Sequence, residues 1–130
     1  MSVDSIGNFL TIIRNGVKVS NPYVIAPLTK INKSIAQILE SEGFIRGFDQ
    51  VEQEGFKKLK IFLKYVNGES AIHELDRVSK LSRRSYAGLG DVKPVIGGLG
   101  ISILTTDRGV VTHKQAKKLG VGGEIICTVW

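Results

Sequence analysis

The sequence predicts an α+β protein in two parts: two helices and about three strands come first, then a mostly β half with one short helix. Three observations predict it. Apolar residues recur at three- and four-residue spacing in two early stretches, they alternate with charge in the strands that follow, and most of the 15 glycines fall after residue 87. A chain of 130 residues, 42% hydrophobic, is long enough for one compact domain or two small subdomains with a packed core.

Residues 4–17 read as a helix with Ile6, Phe9, Leu10, Ile13 and Val17 on one face and Thr11, Arg14, Asn15 and Lys18 turned outward. Ser2 or Asp4 supplies its cap. Asn21-Pro22 then breaks the chain, and 23–28 reads as a short strand that Pro27 restricts to an edge or an end. Thr29 caps a second helix over 30–42, with Ile31, Ile35, Ile38 and Leu39 inward and Gly43 as its stop. Two strands follow, 44–51 and 56–66, joined by a polar turn at Gly55. In the second, Leu59, Ile61, Leu63 and Tyr65 alternate with Lys58, Lys60 and Lys64, which predicts one core face and one row of ammonium groups.

Asn67-Gly68-Glu69-Ser70 is short, polar and glycine-containing, and predicts a division into 1–66 and 67–130. Beyond it 71–79 reads as extended, 80–84 is basic, and strands are expected at 101–105 and 124–129. Between those strands Thr112-x-x-Gln115 has the form of a capping box, opening a two-turn helix that Gly120 ends.

Eighteen Lys+Arg against twelve Asp+Glu leave a net charge of +6. The pI near 9.6 favours a polyanionic partner, nucleic acid before an anionic membrane. The least charged stretch, 95–104, is too short to span a bilayer, and no basic segment precedes an apolar core at the start, so neither a membrane span nor a signal peptide is expected. One cysteine, Cys127, allows no internal disulfide and fits a reducing compartment. Asn32-Lys33-Ser34 matches a glycosylation pattern that has no meaning without secretion. A soluble, basic, intracellular protein is the expectation.

Catalytic chemistry is thin. His73 and His113 lie far apart with no other ligand at metal spacing, so no metal or other cofactor is expected, and His113 reads as a surface residue. Cys127 sits in an apolar strand and reads as a buried, inert thiol. No nucleophile elbow or triad spacing appears. Gly97-Gly98-Leu99-Gly100 and Gly120-Val121-Gly122-Gly123 lack the spacing of dinucleotide and phosphate loops, and read instead as turns and close backbone approaches. Two clusters remain. Lys80-Leu81-Ser82-Arg83-Arg84-Ser85-Tyr86 offers cations for adjacent phosphates and an aromatic face for a base, against the plainer reading of a solvated loop beside a half-buried tyrosine. Thr105-Thr106-Asp107-Arg108-Gly109 offers short hydroxyls and exposed amides for base edges and sugars, against the plainer reading of a turn.

What ties the clusters together is a resemblance. The run from Gly98 to Thr112, then Ala116, then Gly122-Gly123-Glu124-Ile125-Ile126-Cys127, closely resembles the S-eight family of small-subunit ribosomal proteins of bacteria and organelles. Ile13-Arg14-Asn15, Ile35-Ala36-x-x-Leu39, Glu42-Gly43-Phe44-Ile45 and Arg77-Val78-Ser79-Lys80 agree, so the likeness runs in order along essentially the whole chain. It departs where Asp107 replaces the family's usual serine, at Leu81-Ser82-Arg83 in place of Pro-Gly-Leu, and at Gly7-Asn8 and Ile12 in the first helix.

The resemblance implies two helices packed on a three-stranded antiparallel sheet, and a C-terminal β-rich part that reads RNA. It implies a non-enzymatic constituent of the small subunit that binds the central domain of its rRNA, supports assembly, and sits beside other small-subunit proteins. Carried over by position, Thr105, Thr106 and Asp107 would meet bases and sugars, with Tyr86 nearby and Gly122, Gly123 and Glu124 supporting that surface. Arg14, Lys30, Lys33 and Arg84 would meet phosphates. The ribosome would be that of a bacterial cytoplasm or of an organelle, a plastid in the latter case. The protein's own messenger is a further RNA partner that the family implies. A freestanding RNA-binding translational regulator is the rival reading, and a small enzyme with a phosphate ligand the more distant one.

Overall fold

The computed structural model describes residues 5–78, 86–87 and 100–130. The helix caps expected at Ser2 or Asp4 and the basic stretch 80–84 lie outside them. The chain forms two units, Met1–His73 and Glu74–Trp130, each with its own core.

In the first unit, α1 (Ser5–Lys18) packs its buried Phe9, Leu10, Ile13 and Gly16 toward β1 (Tyr23–Pro27). Gly16 permits the close approach: a Cβ there would run into the Val24 side chain and lie 3.2 Å from Leu63 Cδ1. Helix α2 (Lys30–Ser41) starts as expected, with the Thr29 hydroxyl accepting from the Asn32 amide at 3.1 Å. The Asn32 side chain, fully buried, donates to Pro27 O at 3.1 Å and ties the helix start to β1. The helix ends before Gly43, which takes a left-handed φ of +83°, and Lys64 Nζ donates to the Gly43 carbonyl at 3.3 Å. Lys64 therefore serves the helix end rather than the expected ammonium row.

Strands β2 (Ile45–Gln53) and β3 (Phe56–Leu63) complete an antiparallel sheet in the order β1-β3-β2. Leu59, Ile61 and Leu63 face the helices and are buried, as their alternation predicts. The single strand expected over 56–66 stops at Leu63. Tyr65–Val66 (β4) and Glu69–Ser70 (β5) instead form a hairpin around Asn67 and Gly68, whose φ values of +54° and +79° suit a tight two-residue turn. Tyr65 leaves the inner row, and its hydroxyl donates to Asn21 O at 2.7 Å.

In the second unit β10 (Gly123–Val129) is the central strand. Along one side it pairs with β8 (Ile101–Thr106); along the other it meets β6 (Leu75–Arg77) at Cys127–Val129 and β7 (Tyr86–Ala87) at Gly123–Glu124. Of the extended stretch expected over 71–79, only Leu75–Arg77 is strand, and Ser79 lies outside the described residues. Strand β9 (Gly109–Thr112) pairs with β8 and was not foreseen; its signal is the β-branched pair Val110-Val111. Helix α3 (His113–Leu119) opens on the expected capping box, with Gln115 N to Thr112 Oγ1 at 3.2 Å and Thr112 N to Gln115 Oε1 at 3.0 Å. Gly120 ends it in the left-handed region at φ +72°.

His113 departs from its expected surface role. It is half-buried, and its Nδ1 accepts from the Ser102 amide at 3.1 Å, which places the proton of the neutral ring on Nε2. Cys127 is buried as expected, and burial pushes its thiol up to about 12, with Arg77 acting weakly the other way.

Candidate nucleic-acid interface

The β8–β9 hairpin turns on two residues, Asp107 and Arg108, between the paired Thr106 and Gly109. Gly109 holds φ +104°, open only to glycine at little cost. The Thr106 hydroxyl donates to Gly109 O at 2.9 Å and accepts from Arg108 N at 3.0 Å. Its proton and one lone pair are thus committed to the turn, and one lone pair is left for a ligand donor. Asp107 and Arg108 stand exposed at the tip with opposite charges.

Glu124 pairs with Tyr86 on one side and Thr105 on the other. Residues directly opposite in antiparallel strands share a face with their Cβ atoms roughly 5 Å apart. Tyr86, Glu124 and Thr105 therefore form a row across β7, β10 and β8, with a carboxylate between two hydroxyl-bearing side chains. Tyr86 is 71% exposed, so its ring is open for stacking, and the half-buried tyrosine of the plainer reading is not what forms.

The row depends on two backbone devices. Register shifts between Ile125 and Cys127, so that β10 carries one extra residue, Ile126, on its way to the Glu124–Thr105 pair. Beside that pair, Gly123 approaches so closely that a Cβ would run into the Thr105 carbonyl oxygen and lie 2.9 Å from Thr106 Cγ2. Gly122 is exposed just ahead of the strand. The glycine pair read from sequence as a site of close backbone approach is where such an approach occurs.

Of the remaining cations, Arg14, Lys30 and Lys33 belong to the other unit. Arg14 is exposed on α1, its Nη2 3.3 Å from Thr11 Oγ1. Lys30 and Lys33 lie in the first turn of α2, three residues apart and so on neighbouring positions of its surface. That turn has no acidic residue, and the positive end of a helix disfavours cations and attracts anions. Two lysines there are unfavourable for an isolated helix and favourable for one that meets phosphate. Arg84 lies outside the described residues.

Sequence reasoning passed over Arg108, which it treated only as part of a turn, and the exposed Lys114, Lys117 and Lys118 of α3. Helix α3 packs on β8 and β9, the strands of the hairpin. Its lysine spacing was legible, but the short helix was read for its cap and not for its outer face.

A sequence profile of the family described as Ribosomal protein S8 matches residues 4–130. The small ribosomal subunit protein uS8 of Acidobacterium capsulatum is 47% identical over 128 residues, 98% of this chain and 97% of its own. The protein of that name from Desulforudis audaxviator is 45% identical over 131 residues, and the one from Thermus thermophilus 41% over 138; both alignments cover 100% of each chain.

Proposed function

The chain belongs to the ribosomal protein S8 family, and from that premise we propose that it is a non-catalytic constituent of the small ribosomal subunit that binds the central domain of the subunit's rRNA and supports assembly and translation. The observation that carries the RNA-reading part is the Tyr86–Glu124–Thr105 row, with Tyr86 exposed and Glu124 and Thr105 half-buried, beside the Thr106–Gly109 turn and closed by Gly123.

Regular A-form RNA keeps base edges deep in a narrow major groove, so a protein reads a widened minor groove or a splayed base with short polar groups and stacked rings. The row has those groups. Tyr86 supplies a ring, Thr105 a hydroxyl, and Thr106 an acceptor held still by its turn. Glu124 suits a base amino group or a hydroxyl and repels phosphate, and Asp107 turns phosphate from the tip in the same way. Arg14, Lys30, Lys33 and Arg84 supply sequence-independent affinity for the backbone. Bacterial relatives favour the cytoplasmic ribosome over that of a plastid. A messenger folding into the same irregular helix would take the same surface, and equal competition by such a hairpin tests that extension.

The test is a gel-shift titration against the central-domain helix and a fully paired hairpin of equal length at two salt concentrations. A preference on the order of a thousandfold that survives added salt is the expected result. Equal, salt-sensitive binding to both would remove the reading. Co-sedimentation with small subunits at high salt separates an integral constituent from a freestanding regulator, which would wash off.

A further inference from the structure

The second face of the first unit's sheet has no part in the reading above. Helices α1 and α2 cover the side bearing Leu59, Ile61 and Leu63. On the other side β3 presents Phe56, Lys58, Lys60 and Phe62 in strict alternation. Register adds Tyr23 beside Phe62, Ile25 and Asp49 flanking Lys60, and Pro27 and Val51 flanking Lys58. Phe56 is 68% exposed and Tyr23 44%. The Lys60 ammonium lies 4.1 Å above the centre of the Tyr23 ring and 5.3 Å from that of Phe62, leaning across β1 and away from Asp49 on the β2 side.

We infer that this open sheet face is a second RNA-contacting surface, a stacking platform for an unpaired RNA segment, with Tyr23, Phe62 and Phe56 as base supports and Lys58 and Lys60 as phosphate contacts. Two aromatic stations stand at either end of a cationic centre. Phe56 and Phe62 are six residues apart on one strand, about 20 Å, room for several nucleotides. Cores of protein interfaces are depleted in lysine, so two lysines at the middle of the patch argue against a protein neighbour as its cover. Asp49 repels phosphate on the β2 flank and so directs the RNA backbone along the β1 side.

Parking Lys60 over Tyr23 does not block the site. An exposed cation–π contact is worth roughly a factor of two to five in an equilibrium constant, whereas a base stacked on an aromatic ring is worth roughly five- to a hundredfold. A base that displaces the ammonium therefore gains, and the flexible lysine stem carries the charge to an adjacent phosphate.

The experiment uses the full chain and a 5′-fluorescein octauridylate, read by fluorescence anisotropy. Tyr23→Ala/Phe56→Ala is expected to weaken octauridylate binding at least tenfold while changing affinity for the central-domain helix less than threefold. Tyr23→Leu/Phe56→Leu, which keeps apolar bulk, is expected to lose nearly as much, so that the loss is one of stacking and not of folding. Lys58→Gln/Lys60→Gln is expected to lower the salt slope by about 1.4, two contacts at about 0.7 each for single strands. Octauridylate affinity unchanged by both aromatic pairs would overturn the proposal, even with a loss in the lysine pair, because charge alone would then explain the binding. So would lysine-reactive cross-linking of this face to a protein in assembled subunits with no RNA cross-link from its aromatic residues. The hairpin reading stands or falls separately, on the central-domain helix.

Discussion

Gly123→Ala is the most direct test of how the reading row is built. The added Cβ would meet the Thr105 carbonyl oxygen, with Thr106 Cγ2 at 2.9 Å and Thr105 C at 3.0 Å. Two of those three atoms are backbone of the neighbouring strand, which cannot turn aside as a side chain would. Strand β10 must therefore move off β8 at the Glu124–Thr105 pair, the last pair of that ladder before the hairpin turn. Overpacking of this kind costs about 1–3 kcal/mol, and a ladder hydrogen bond lost with it about 0.5–1.5. A destabilisation of about 2 kcal/mol follows, or a fall in Tm of about 6–10 °C for a chain of this size.

Binding should suffer more than stability. Tyr86, Glu124 and Thr105 share a face only while β10 joins β7 to β8 at this point, so affinity for the central-domain helix is expected to drop at least tenfold while the fully paired hairpin binds as before. Gly68→Ala is the control. Its φ of +79° strains any alanine, yet nothing lies within 4 Å of the new Cβ. It should lose about 1 kcal/mol of stability and no RNA affinity. Thermal unfolding followed by circular dichroism, together with gel shifts, reads both quantities. Wild-type stability and wild-type affinity in Gly123→Ala would refute the close approach and the row that rests on it.

Thr106→Ala removes the hydroxyl that closes the turn, and should weaken cognate binding tenfold or more while leaving non-specific binding within twofold; Thr106→Ser, which keeps donor and acceptor, should restore most of it, and equal losses on both RNAs would end the case for base reading there. Lys30→Ala should weaken both RNAs alike and flatten the salt slope by about one unit, as measured by titration at several salt concentrations. Cys127 gives a pH signature. Its folded thiol is raised to about 12 from 9.0, so below 9 both states hold the proton and stability is unaffected. Above 9 the unfolded chain releases it and the folded one does not, and stability falls by roughly 1.4 kcal/mol per pH unit until about 12. Denaturant melts at pH 8, 9 and 10 should show that extra slope in the wild type and lose it in Cys127→Ala; identical slopes would mean the thiol is not shielded.

The helices were legible because their signals are local. The Thr29 cap, the Gly43 stop and the Thr112–Gln115 box each act within a few residues, and each holds in the structure. Alternation gave the inner face of β3 for the same reason. What escaped depends on partners distant in sequence. The break after Leu63 follows from the Asn67–Gly68 turn folding Tyr65 and Val66 back on Glu69 and Ser70, so that residues read as a division between parts form a hairpin. Strand β9 is four residues long and opens on a glycine, and only its pairing with β8 makes it a strand. His113 looked exposed because the amide that its ring accepts from, that of Ser102, belongs to a strand eleven residues back.

The candidate site divides along the same line. Residue types were readable: hydroxyls at Thr105 and Thr106, a ring at Tyr86, glycines at Gly122 and Gly123. Their relations were not. That Thr106 has already committed its proton to Gly109, and can meet RNA only as an acceptor, is a fact of turn geometry. That Glu124 lies between Tyr86 and Thr105 is a fact of register, set by the extra residue at Ile126. A shift of one residue in an antiparallel strand moves every side chain to the opposite face, so without the bulge either Glu124 or the apolar residues beyond it would face the wrong way. The bulge lets one strand keep Cys127 and Val129 in the core and still deliver a carboxylate to the row. On the proposed reading, selectivity rests on backbone irregularities at one end of β10, and affinity on lysines and arginines that require no such precision. Substitutions at the cations should therefore be tolerated singly, whereas one methyl group at Gly123 should not.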